Sequence, residues 1–242
     1  MLMTPVWLKR AMLTFVAVAL GMSWLAQGTL LTDLMLYQED VLFLSVQHIE
    51  LTLVSGGLAI LIGIPVGIIL TRGPIRGVSE AVMQVLNIGT TIPTLAVLAL
   101  SMTFLGIGTL PALFALWLAS LLYIVRNTYS GLISVSSALL EAARGIGMTP
   151  WQILTKVEIP NALFVIFAGV RTALTINIGT VPLAFLIGGG GLGELIFTGI
   201  DLNETTMMLA GAIPTALLAI VVDTLIAGIA FVLIPRGVNP LR

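Results

Sequence analysis

Charge is what this sequence has least of. Only 9% of its 242 residues are Asp, Glu, Lys or Arg, where soluble domains carry about 25%. So few charges cannot wet a whole molecular surface, so most of the surface must meet hydrocarbon. Cysteine is absent, which excludes disulfides and thiolate metal sites. Histidine occurs once, as His48, too little for a histidine-based metal centre, and no metal site or bound cofactor is expected. The net charge is −1, with no basic tail. That balance gives no electrostatic reason to expect nucleic acid as a partner.

What the chain has instead is apolar length. Its mean hydropathy is +1.15. Six stretches approach or exceed the roughly 20 apolar residues that cross a hydrocarbon core: 11–31, 51–71, 81–105, 110–126, 162–187 and 206–234. They are too continuous for the period-two strands of an outer-membrane barrel. The expectation is an all-α membrane protein, a single domain over 1–242. Lys9 and Arg10 ahead of the first run resemble a signal peptide, but that run continues to Leu31 without a good small-residue cleavage site. It reads as the first span.

The charges that do occur are segregated. Lys9, Arg10, Arg72, Arg76, Arg126, Arg144, Lys156, Arg236 and Arg242, nine of the ten basic residues, fall in alternate loops. The opposite loops hold Asp33, Glu39, Asp40, Glu50, Glu194, Asp201 and Glu204, with no Lys or Arg. Cytoplasmic loops are enriched in Lys and Arg, so both termini are expected in the cytoplasm. Residues 32–50 then lie outside, as an interfacial helix or cap, and residues 127–160 form a long cytoplasmic loop.

That cytoplasmic loop contains SSALLEAARGIGMTPWQILTKVEIPNA. Its pattern predicts two short helices broken at Gly145–Gly147 and near Thr149–Pro150. Ser136 or Ser137 is placed to cap the first. Thr149 is placed to cap the second, with Pro150 at its first position. Gly147 permits a sharp turn with positive φ, and Pro160 is expected to end the second helix. On composition alone this is a hairpin linking two spans.

The spacing adds a resemblance. Glu141, Ala142 and Ala143 are followed by three residues, Gly147, nine residues and Val157-Glu158-Ile159-Pro160. This resembles the EAA loop of permease subunits of binding-protein-dependent ABC importers, with Val and Ile in place of the family's usual Ile and Leu. The stretches TTIPTLAVLAL, YIVRNTYSGL and FAGVRTALTINIGTVPLAFLIGGGGLGELIFTGI are similar to permeases for glycine betaine, choline, carnitine and related osmoprotectants. The resemblance implies a type I importer permease fold. It implies a coupling helix that docks on a cytoplasmic ABC ATPase dimer, with Glu141, Ala142, Ala143, Gly147, Ile159 and Pro160 in the coupling region. It also implies a second permease subunit (this chain or a paralogue), a periplasmic solute-binding protein, and alternating access driven by ATP-Mg on the partner ATPase. The location implied is the bacterial inner membrane.

Other residues carry two readings each. Gly188, Gly189, Gly190, Gly191 and Gly193 suggest a phosphate loop, but no Gly-Lys-Ser/Thr follows and the segment lies outside. They form either a flexible turn or an outer gate or receptor contact. Arg171 and Asp223 each stand eleven positions from a cytoplasmic boundary, Pro160 and Ile234, about 16 Å along a helix. They either pair within the bundle beside the pathway, or Arg171 snorkels to the inner surface. Asn87, Thr90, Thr91 and Pro93, with Asn177, Thr180 and Pro182, either line a pathway or pack helices together. Aromatics are 7% of the chain with no compact cluster. An aromatic cage for a quaternary ammonium therefore belongs to a separate receptor. Trp7, Trp24, Trp117 and Trp151 read as interface anchors or packing.

Three rival readings remain. An ion-driven secondary transporter would show several intramembrane carboxylates and inverted repeats, and Asp223 is the one candidate carboxylate. A membrane enzyme lacks a catalytic constellation. An ABC permease for another solute, an amino acid such as methionine, shares the coupling loop and stays open.

Overall fold

The computed structural model describes Gly21 and residues 35–72 and 76–238. The first expected span at 11–31, apart from Gly21, lies outside these residues, as do Trp7, Lys9, Arg10, Trp24, Asp33 and Arg242. Every regular element among the described residues is helical.

Helix α1 runs unbroken from Gln38 to Leu70, 33 residues, or about 50 Å at 1.5 Å per residue. It corrects the reading of residues 32–50 as a separate interfacial segment and of 51 as the start of a span. No glycine or proline interrupts the chain between Gln38 and Gly56, and Glu39 and Asp40 sit in the first turn, where the helix dipole favours acids. His48, assigned from sequence to an outer loop, is fully buried on this helix, its Nε2 3.1 Å from the Ile178 carbonyl oxygen.

The stretch expected as one span at 81–105 is two helices, α2 (Arg76–Gly89) and α3 (Thr94–Leu105), set at 100° to each other. Pro93 has no N–H to continue the ladder. The Gly89 carbonyl, four residues before Pro93, accepts instead from the Ile92 N–H at 3.2 Å, while Thr90 Oγ1 donates to the Asn87 carbonyl and Thr91 Oγ1 to that of Ile88, each at 2.7 Å. Helix α4 spans Thr109–Ile133, seven residues past the expected end at 126, so the connecting loop begins at Ser134 rather than 127.

Two short helices follow, α5 (Ser137–Gly145) and α6 (Pro150–Ile153). A π-turn over Leu154–Glu158 then leads directly into α7 (Ile159–Thr180), which tightens to a 3-10 segment at Val181–Ile187. Pro160 therefore does not end a helix, as expected from sequence; it sits in the first turn of α7. The wider π-turn absorbs its missing donor, and Asn161 Nδ2 donates to the Val157 carbonyl at 2.7 Å. Helices α8 (Gly193–Asp201) and α9 (Thr205–Leu233) complete the described chain.

Four of these helical stretches are long and apolar enough to cross a membrane, and the bent α2–α3 pair is a fifth candidate. Helices α1 and α4 run parallel, with α7 antiparallel to both. Their contact is close because glycines lie in it. A Cβ on Gly67 would stand 2.6 Å from Thr128 Cβ and 3.0 Å from the Val125 carbonyl oxygen, and one on Gly63 would stand 2.9 Å from Ile124 Cγ2. Around this seam Ala59, Ile124, Val170, Ala173 and Ile226 form one apolar cluster. Nearer the other end Leu51, Leu98, Leu116 and Val181 form a second.

The seam predicts a contrast between two glycines. Gly67→Ala should lower thermal stability of the purified protein, by about 1–3 kcal/mol of overpacking. Gly77→Ala, on α2 with open space around its Cβ, should leave stability unchanged or slightly raised. Melting curves in detergent would compare them.

Candidate functional site

At one end of the bundle, α5 and α6 form a built hairpin. Gly147 takes φ +81° just beyond α5. The Met148 N–H reaches the Ala143 carbonyl at 3.1 Å and the Gly147 N–H that of Arg144 at 2.9 Å. This is a Schellman ending, which requires a left-handed residue at Gly147. Helix α6 opens on a reciprocal capping box: Gln152 N–H donates to Thr149 Oγ1 at 3.3 Å, and Thr149 N–H to Gln152 Oε1 at 2.9 Å. A box of this kind is worth about 1 kcal/mol. Ser136 occupies the cap position of α5 but makes no side-chain capping bond.

The hairpin presents Glu141 and Ala142 outward, while Ala143 turns inward at 6% exposure. Ile159 and Pro160 are half-buried at the foot of α7. Leu139, Ile146 and Trp151 project apolar side chains from the same hairpin, at 41%, 80% and 71% exposure. The sequence reading passed over Leu139 and Ile146 and took Trp151 as an anchor or packing residue. The signal available was an apolar side chain at each turn of a hairpin otherwise rich in polar and small residues. Beside the hairpin, Arg72 Nη2 bonds Glu158 Oε2 at 2.7 Å.

In the interior, Asn177 is 2% exposed between α1, α4 and α7. Its Nδ2 faces Ser120 Oγ at 2.7 Å, Ser55 Oγ at 3.0 Å and the Leu116 carbonyl at 3.3 Å. Asn177 therefore joins three helices rather than facing an open surface. Thr180 returns its hydroxyl to the carbonyls of Ile176 and Asn177, and Pro182 is buried in the 3-10 segment. Asn87, Thr91 and Pro93 are exposed at the α2–α3 break, with Thr90 half-buried. No hydrogen bond joins this group to Asn177 among the described residues. Arg171 and Asp223 do meet: the guanidinium Nε and Nη2 bind both carboxylate oxygens, and Thr175 Oγ1 approaches Asp223 Oδ1 at 3.4 Å. The pair remains partly open, its side chains 46% and 30% exposed.

At the far end, the glycine run is a packed turn. Gly188 sits at φ +77°, with Gly188 N–H bonded to the Phe185 carbonyl and Gly189 N–H to that of Ala184. Gly191 N–H donates to Gln47 Oε1 of α1 at 3.1 Å. A Cβ on Gly193 would overlap the Pro182 carbonyl. Gln47, Glu50, Thr109, Leu113 and Gly188–Gly190 border a cavity of about 330 Å³. Nearby, Tyr37 OH donates to Glu204 Oε1 at 2.9 Å. That bond, with Glu204's negative charge, holds the phenol above its usual pKa.

The family of binding-protein-dependent transport system inner membrane components matches residues 63–236. The chain belongs to this family. Osmoprotectant import permease protein OsmY of Salmonella typhimurium is 51% identical over 220 residues, 91% of this chain and 93% of that protein. Carnitine transport permease protein OpuCB of Listeria monocytogenes is 42% identical over 196 residues, 81% of this chain and 89% of that one. Among solved structures, the inward-facing MetNI methionine ABC transporter superimposes with a TM-score of 0.71 at 26% identity. It covers 84% of this chain and 99% of its own. The fold is that of a type I ABC importer permease, and this inner membrane component is the spanning subunit of such a system.

For this permease the Asn177 knot sets a measurable cost. Ser55 and Ser120 each also donate to a carbonyl four residues back, Leu51 and Leu116, so losing the amide strands no hydroxyl. Asn177→Leu should therefore destabilise the protein by only about 1–2 kcal/mol, read as a modest fall in melting temperature with helix content retained.

Proposed function

We propose that this permease moves a small osmoprotectant, a quaternary amine such as glycine betaine, choline or carnitine, inward across the membrane. The observation that carries the reading is the exposed hairpin of α5 and α6 at one end of the helical bundle. Its apolar Ile146 and Trp151, beside the acidic Glu141, suit a groove on a soluble partner better than they suit water. An ABC ATPase dimer supplies that groove and hydrolyses ATP-Mg, and Glu141, Ala142, Ala143, Gly147, Ile159 and Pro160 belong to the coupling region. Ala143 acts there by packing the hairpin from beneath. The single permease domain spans 1–242, with both termini and the hairpin in the cytoplasm, as the distribution of Lys and Arg supports.

A second permease subunit, identical or paralogous, encloses the pathway with this one. The Arg171–Asp223 pair favours that arrangement. It lies about 16 Å from the hairpin end of α7 by helical rise and is partly open. Charged groups at mid-depth cost about 2.5–3.5 kcal/mol each against lipid, so the pair faces water or a partner. Asn87, Thr90, Thr91 and Pro93 border the pathway at the α2–α3 break, while Asn177 and Thr180 support its wall. The turn of Gly188, Gly189, Gly190, Gly191 and Gly193 shapes the outer face that receives a periplasmic solute-binding protein, with Gly188 exposed on it and Gly189, Gly191 and Gly193 buried beneath. Methionine or another amino acid is the alternative cargo, suggested by the likeness to a methionine transporter. The 51% and 42% identities to osmoprotectant and carnitine permeases favour the osmoprotectant.

Proteoliposomes holding the permease with its ATPase and receptor should take up radiolabelled glycine betaine when ATP is supplied. Glu141→Lys should abolish uptake and release the ATPase. Uptake of methionine but not betaine by the intact complex would exchange the cargo. Because the chain has no cysteine, Thr175→Cys can be probed alone with a charged thiol reagent. It should react faster than Leu225→Cys, which is 60% exposed on α9, because a thiolate forms in water and not in lipid.

A further inference from the structure

We infer that the Arg72–Glu158 ion pair is the tie that makes α1 move with the coupling hairpin, so that α1 carries the ATPase stroke to the opposite face. The inference rests on the importer reading above and goes beyond it by naming the transmitting residues. Arg72 lies two residues past the end of α1, and Glu158 closes the π-turn between the hairpin and α7. Their bond is 2.7 Å long, with the Glu158 side chain 14% exposed and that of Arg72 35%. Arg72 is itself held to α1, its Nε donating to the Ile68 carbonyl at 3.3 Å. The guanidinium thus grips the helix and the hairpin's root at once.

Two further features make this a transmitting contact. First, the π-turn is the irregular joint through which the hairpin passes into α7, and such turns interrupt an otherwise stiff helix. There Ile64 and Ile68 of α1 pack against the apolar cluster that includes Leu154 of the π-turn, and Arg72 adds the charged bond that resists a pivot. Second, the half of α1 far from the hairpin is polar-bonded to its neighbours: Ser55 to Asn177 and His48 to the Ile178 carbonyl on α7, Gln47 to the Gly191 N–H, and Tyr37, just before the helix, to Glu204. A helix of 33 residues is about 50 Å long, enough to reach both faces of a membrane, and it stays helical through Pro65 near its Arg72 end. Displacement at Glu158 is therefore delivered to the glycine turn that borders the outer cavity.

The test measures solute taken up per ATP hydrolysed in proteoliposomes containing permease, ATPase and receptor. Arg72→Glu and Glu158→Arg should each lower that ratio by about tenfold, equivalent to about 1.4 kcal/mol of lost coupling, with ATP hydrolysis retained. The combined exchange, Arg72→Glu with Glu158→Arg, should restore the ratio to near wild type. A purely structural contact would lower assembly and hydrolysis together and leave the ratio unchanged, which overturns the proposal. Failure of an assembled double exchange to recover the ratio also overturns it. If the single reversals do not assemble, Arg72→Gln and Glu158→Gln carry the same measurement: a lowered ratio supports the tie and an unchanged ratio overturns it. Wild-type complexes separate the two failures. Hydrolysis without betaine uptake there removes the cargo assignment, and the ratio is then read with methionine.

Discussion

The packing of α1 against α4 and α7 is the contact on which the rest of this molecule depends. Inside a bilayer, helices gain little by hiding apolar surface from one another, because lipid is equally apolar. Association has to come from close approach and from polar groups that find partners only in the assembled bundle. Gly63 and Gly67 let α1 and α4 meet without a Cβ between them. Asn177 then joins the pair to α7 through Ser55, Ser120 and the Leu116 carbonyl. The two apolar clusters lie to either side of this joined seam and fill what it leaves.

Backbone groups at membrane depth need internal partners, and at three departures from α geometry among the described residues the released groups are taken up nearby. At Thr90–Pro93 the Ile92 N–H takes the Gly89 carbonyl and the Thr90 hydroxyl that of Asn87. At Leu154–Glu158 the π-turn and Asn161 accommodate Pro160. At Val181–Gly189 the 3-10 segment closes on its own carbonyls and Gln47 receives the Gly191 N–H. These joints separate the described helices from one another, and each lies at or beside a candidate functional element. Such an arrangement suits a machine that moves by rigid-body displacement more than one that deforms continuously.

The ion pairs serve different ends within that plan. Arg72–Glu158 sits at the foot of the bundle with Glu158 mostly covered, where a charged bond gains strength from partial exclusion of water. Arg171–Asp223 sits further along α7 and α9 and is more open. A charge at that depth is costly unless its partner is in place, and here the two side chains meet in a two-pronged contact.

The amino-acid sequence alone determined the membrane class, the helical fold, the spans within the described region to within a few residues at most ends, and the hairpin with its Gly147 turn and Thr149 cap. Each follows from local chemistry: apolar length, segregated charge, capping residues, and a turn that only glycine adopts easily. The positions of Arg171 and Asp223 along their helices were also legible, since helical rise is fixed. Tertiary structure decided the rest. Residues 38–50 joined α1 because Glu39 and Asp40 lie in its first turn and His48 has a partner on α7, which no local pattern records. Asn177 became a structural knot because Ser55 and Ser120 arrive from other helices. Gly188–Gly193 is closely packed because α1 and Pro182 lie against it, and the bond between Arg72 and Glu158 links residues 86 apart. Local sequence encodes which groups need partners; only the packed bundle determines which partners they meet.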